Sequence, residues 1–130
     1  MKVYISGPMT GLPEFNYPAF FDAEKLVESA GYASLNPARA LNGENHHARE
    51  AYMRADIAMV CEADGILLLP DWHKSRGARL EVQIASELGL AFFTVEDIRR
   101  LAHEESGVRE SRYYCNRASL KQAMEPEDAA

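Results

Sequence analysis

The sequence predicts an α/β domain, a parallel sheet of about four or five strands with helices packed on both faces. Short apolar runs at Lys2–Ile5, Gly65–Leu69 and Leu90–Val95 alternate with stretches whose apolar residues recur at helical spacing. The run Gly65-Ile-Leu-Leu-Leu69 is continuous, as expected of a strand covered on both faces. The chain's 130 residues, 47% of them hydrophobic, suffice for one core and one domain.

Taken in order, Lys2 to Ile5 is the first strand, and Ser6-Gly-Pro-Met-Thr-Gly11 is a turn-rich loop after it. Phe20, Phe21, Ala23, Leu26, Val27 and Ala30 then mark a helix that stops at Gly31. Tyr32 to Leu35 reads as a second strand, and Asn36-Pro37 with the polar stretch Asn42 to His47 as a long connection, a candidate lid. A second helix follows from about His47 to Cys61, with Met53, Ile57 and Val60 on its apolar side and Cys61 packed in its apolar stretch. Pro70 closes the strand at Gly65–Leu69, and Asp71 to Gly77 forms the next loop. A third helix spans about Ala78 to Leu88 and ends near Gly89; a strand at Leu90–Val95 and a helix at Glu96–His103 complete a domain of residues 1–103. The extension from Glu104 to Ala130 is charged and poor in large aliphatics, with mobile final residues. Tyr113 and Tyr114 there suit packing on a partner subunit or on the same monomer equally.

A formal net charge of −6 argues against general binding to nucleic acid polymers, which needs basic patches. The expected ligand is a small molecule. It can still be anionic, because a loop at a helix N-terminus binds phosphate through backbone N–H groups. No stretch approaches the roughly 20 apolar residues of a membrane span, and no signal-peptide pattern precedes the first strand, so a soluble cytoplasmic protein is expected. Cys61 and Cys115 are too few and too isolated for a disulfide framework or a zinc site. His46 and His47 cannot share one helical face, and spacing supplies no third ligand, so no metal or other cofactor is expected.

In an open parallel sheet, ligands bind beyond the carboxyl ends of the strands, which directs attention to the loops opening at Ser6 and Asp71. Ser6 to Gly11 offers hydroxyls and backbone donors ahead of a helix, suited to a phosphate or a sugar hydroxyl, although an unliganded tight turn reads equally well. Glu81 shares a helical face with Gly77, Ile84, Ala85 and Leu88, where a hydrophobe is expected. A carboxylate turned inward needs a partner or a task; the plainer alternative is an ordinary helix-edge glutamate. Asp56 repeats the anomaly beside Met53, Ile57 and Val60. Two such acids can divide the labour of glycosyl transfer, one attacking as a carboxylate and the other delivering a proton. Asp71, at the exit of the apolar strand, is an alternative second acid, as is Asp64, more simply a turn residue. Ser75 and Gly77 open the third helix, where free N–H groups favour an anion and Ser75 also suits an N-cap. Trp72 and His73 are placed either to contact a base or, for the Trp, to plug the fold.

The segments Tyr4-Ile-Ser-Gly-Pro8, the helix with Asp56, the strand opening at Ala63-Asp64, and Ser75-Arg-Gly-Ala-Arg-Leu-Glu81 together resemble the nucleoside 2-deoxyribosyltransferase superfamily. Its 2'-deoxynucleoside 5'-monophosphate N-glycosidases and the small phage and bacterial DUF4406 proteins are the nearest branches in pattern. The resemblance covers roughly Met1 to Val95 and implies a flavodoxin-like or Rossmann-like sheet. It further implies that Glu81 is a nucleophile forming a glycosyl-enzyme ester, that Asp56 or Asp71 assists proton transfer, and that Tyr4 orients the nucleophile. Gly7, Pro8, Met9, Thr10 and Gly11 correspond to the family's phosphate loop, and Ser75 and Gly77 to the turn before its glutamate. A homo-oligomer whose neighbouring subunit completes the pocket is also implied. Thr10 stands near the place of the glycosidases' usual arginine, and Glu81-Val-Gln replaces Glu-Leu-Gly, so nucleoside and nucleotide substrates both stay open. A non-catalytic nucleotide-binding module is the alternative of a different class. The Pro-Gly-Gly loop of the cytokinin-type phosphoribohydrolases does not occur in this chain.

Overall fold

Four strands, β1 (Lys2–Ser6), β2 (Ala33–Leu35), β3 (Gly65–Leu68) and β4 (Ala91–Thr94), form one parallel sheet in the order β2-β1-β3-β4. This is a computed structural model, and it describes residues 1–104 except Asn45. The expectations for the C-terminal extension, including Tyr113, Tyr114 and Cys115, lie outside the described residues. Helices α1 (Tyr17–Ser29), α2 (Arg49–Glu62), α3 (Arg76–Glu87) and α4 (Val95–Glu104) complete a Rossmann-like α/β fold. No helix among the described residues is long and apolar enough to cross a membrane.

The alternation of side chains along each strand sorts the core into two layers. Val3, Ile5, Leu67, Leu69 and Phe93 face one side, with Phe20, Ala23 and Val27 of α1 and Ile98 and Leu101 of α4. Tyr4, Ile66, Leu68 and Phe92 face the other, with Val60 of α2 and Ala78, Val82 and Ala85 of α3. A sheet buried on both faces has no polar side to present, which is why its strands read as continuous apolar runs.

Both α1 and α3 end in the same turn, in which a left-handed glycine lets the chain reverse into a strand. Gly31 (φ +90°) donates to Glu28 O while Tyr32 donates to Val27 O; Gly89 (φ +75°) donates to Ser86 O while Leu90 donates to Ala85 O. That turn corrects the place given to Leu88: as the C-cap it swings out and is half exposed rather than sharing the buried face. The buried face of α3 is instead Ala78, Glu81, Val82 and Ala85. Helix α2 starts at Arg49 rather than near His47, and Cys61 is exposed on it rather than packed, because the helix rests on the sheet through Val60. Part of the expected long connection is ordered at Pro37–Gly43 as two short helical turns separated by a kink at Ala40–Asn42, and its start is fixed by Asn36 Oδ1 accepting from Ala38 N at 2.9 Å.

Candidate functional site

From β1 the chain moves to β2 on one side of the sheet and later to β3 and β4 on the other. The connections leaving β1 and β3 therefore diverge and open a crevice at their carboxyl ends. A cavity of about 420 Å³ lies there, a volume that suits a small-molecule ligand. Its walls come from Tyr4 of β1, the loop residues Gly7, Met9 and Thr10, and the α3 entrance with Ser75, Gly77, Ala78 and Glu81. Arg49, Tyr52, Met53 and Asp56 of α2 face them, and Phe15, Tyr17, Phe20, Pro37 and His47 complete the lining.

The two inward acids meet in this cavity. Glu81 is 5% exposed, and its Oε1 accepts a hydrogen bond from Ser6 Oγ at 2.8 Å. Asp56 reaches the same space from α2, with its Oδ1 buried and without a hydrogen-bond partner. The Tyr4 hydroxyl is fully buried beside them; it and Glu81 influence each other's proton affinity, yet it closes no hydrogen bond of good geometry.

Burial governs the protons of this cluster. Loss of hydration raises the Glu81 carboxyl from 4.5 to about 7, against the opposing pull of the Ser6 hydroxyl and then of Tyr4. Asp56 is raised from 3.8 to about 8, first by burial and then by the charge of Glu81. The Tyr4 phenol is held well above its ordinary range by burial, and further by the charges of Glu81 and Asp56. Between these two values the two carboxyls together hold about one proton. The dominant form there has Glu81 ionised and Asp56 protonated, the pairing that nucleophilic attack with proton delivery requires.

The remaining expected residues divide. Met9, Thr10, Gly7, Ser75 and Gly77 line the cavity, whereas Pro8 and Gly11 do not. Pro8 O accepts from Asn16 Nδ2 at 3.0 Å, which fixes the loop to the start of α1. Ser6 is fully buried and engaged with Glu81, so it holds the acid in place. Ser75 is the N-cap of α3, its Oγ accepting from Ala78 N at 3.2 Å. Asp71 lies outside the cavity: the chain leaving β3 turns through it in a left-handed conformation (φ 65°), and its side chain lies in solvent, 3.7 Å from Lys74 Nζ. Trp72 is buried among the apolar residues between the sheet and α3 and is also away from the lining, so it serves as a plug. His73 packs edge-on against it.

Several lining residues escaped sequence reasoning. Phe15 and Tyr17 enter the wall because Glu14, Phe15 and Asn16 are all left-handed (φ 54°, 54° and 61°) ahead of α1, a conformation costing about 1–2 kcal/mol for each L residue. Nothing in the local sequence announces it. Arg49 and Tyr52 were also missed though they carried a readable signal, since spacings of three, four and seven from Arg49 place both on one helical face with Met53 and Asp56. Such a mixture of cation, phenol, thioether and acid fits neither a core face nor a solvated one.

A comparison with curated proteins gives no match. The sequence model of the family described as "Domain of unknown function (DUF4406)" matches residues 1–94, a span that runs from β1 through β4 and includes every residue lining the cavity. With most of its length so matched, the chain belongs to the DUF4406 family.

Proposed function

We propose that the protein cleaves the N-glycosidic bond of a nucleoside or nucleotide through a glycosyl-enzyme intermediate on Glu81. The observation that carries this reading is the pair of carboxyls, Glu81 and Asp56, that line one cavity at the sheet's switch point and are both raised toward neutrality by burial. The resemblance of the Ser75–Glu81 segment to the nucleoside 2-deoxyribosyltransferases supports it.

In the first step an oxygen of ionised Glu81 forms a bond to the anomeric carbon as the carbon–nitrogen bond to the base breaks. The electron pair of that bond leaves with the base, and Asp56 gives the base its proton. Water then attacks the same carbon, releases Glu81 as carboxylate and returns a proton to Asp56. A second base in place of water gives transfer. The steps balance without a redox cofactor. Ser6 holds the attacking carboxyl in register, and Tyr4 presents a hydroxyl beside it. Phe15, Tyr17 and Tyr52 supply aromatic surface for a base, while Arg49 brings a cation to the lining that suits a 5'-phosphate. The same resemblance supports assembly from two or more copies, which light scattering will read.

The decisive experiment incubates the protein with a panel of nucleosides and nucleoside monophosphates and follows free base by chromatography. Wild type is expected to release base from at least one member of the panel. Glu81→Gln should lose at least roughly a thousandfold in rate, and Asp71→Ala should match wild type. Equal release by wild type and Glu81→Gln would refute the mechanism. Tight calorimetric binding with no release over hours would instead identify a non-catalytic nucleotide-binding module.

A further inference from the structure

The segment ahead of α2 gathers groups for which the proposed reaction has no use. Glu44, His46 and His47 are surface residues whose ligand atoms all lie within 4.8 Å of one another. Glu44 Oε1 is 2.7 Å from His47 Nε2 and 3.9 Å from His46 Nε2, and the two imidazoles stack with centroids 4.4 Å apart. Around a tetrahedral ion with bonds of about 2.0–2.1 Å, neighbouring ligand atoms sit roughly 3.3 Å apart. The two separations from Glu44 lie on either side of that value, and since an ion bound by both imidazoles must lie in the plane of each ring, the stacked rings turn apart about their side-chain bonds to close the set. The backbone is held at Glu44 and at His47. Tyr52 Oη donates to Glu44 O at 2.6 Å and accepts from His47 N at 3.2 Å, and Glu44 N donates to Leu41 O at 3.2 Å. One hydroxyl from α2 thus pins both ends of the stretch that carries the ligands.

We propose that Glu44, His46 and His47 form a surface site for a divalent transition ion of the zinc class, completed by water. Two imidazole nitrogens and one carboxylate oxygen suit a borderline ion, whereas magnesium and calcium call for an all-oxygen set. This proposal departs from the sequence-based expectation of no metal. Adjacent histidines cannot share a helical face, but His46 and His47 precede α2, and Glu44 lies within reach of both as the third ligand. His47 also lines the cavity, so the ion would stand at the cavity's rim beside Tyr52. It takes no part in the glycosidic step, and each proposal survives the failure of the other.

The test titrates tag-free, EDTA-dialysed protein with ZnCl2 by calorimetry and follows Co2+ by visible absorption. A single Zn2+ per chain is expected, with a tetrahedral or five-coordinate Co2+ spectrum. Glu44→Gln and His46→Ala should each weaken Zn2+ binding at least about tenfold, with unchanged circular dichroism. Glu81→Gln should bind Zn2+ as wild type does. Absence of stoichiometric binding, or binding that both ligand substitutions leave intact, would overturn the site.

Discussion

In the proposed reaction the chemistry turns on Glu81 and Asp56, and their protonation sets its expected pH dependence. Base release should rise as Glu81 ionises near pH 7 and fall as the proton on Asp56 is lost near pH 8. The two values belong to the pair, and kcat/KM should trace a narrow bell between them. Asp56→Asn should flatten the descending limb and lower the peak by roughly a hundredfold or more; a descending limb that persists in this variant would assign the proton donor elsewhere. Both acids were legible in the sequence because helical spacing put them among apolar residues. Asp71 misled for a local reason. Its place after a buried strand suggested the crevice, but a single left-handed residue turned it to solvent, and backbone handedness at a non-glycine residue leaves little trace in sequence.

At the scale of elements, the cavity depends on how closely the loop after β1 and the start of α3 approach their neighbours. A Cβ at Gly7 would stand 2.7 Å from the Cβ of Leu69, whereas one at Gly77 would meet only Met53 Sδ at 3.6 Å. Gly7→Ala should therefore lower stability by about 1–3 kcal/mol, while Gly77→Ala should be neutral. Chemical denaturation of the two variants checks this contrast. The elements were the most legible level of the fold, since runs of apolar residues and the stops at Gly31 and Gly89 place every strand and helix to within a few residues. The left-handed stretch at Glu14–Asn16 and the kinked segment at Pro37–Gly43 were not legible, because positive φ falls there on Glu14, Phe15, Asn16, Leu41 and Asn42, none of them a glycine.

For the whole molecule, the shared proton links the site to stability. When unfolded, the carboxyls have ordinary values of 3.8 and 4.5; when folded, about 8 and about 7. Between these limits the folded state binds more protons, so stability is fully present below about pH 4 and declines as pH rises through 7 and 8. Tm should fall by several degrees from pH 5 to pH 9, and Asp56→Asn should remove much of the fall; equal slopes in a calorimetric scan would contradict the assigned burial. Self-repulsion from the net charge of −6 acts on the wild type and, reduced by one charge, on the variant, so it largely cancels in the comparison. The hydrogen bond from Ser6 to Glu81 joins positions 75 residues apart and forms only when α3 has docked on β1. Before docking, every carboxyl is an ordinary ionised acid at neutral pH; afterwards the cluster retains a proton. A protonated carboxyl has a carbonyl stretch well separated in the infrared from that of carboxylate, so the molecule carries a vibrational reporter of its own assembly that needs no added label.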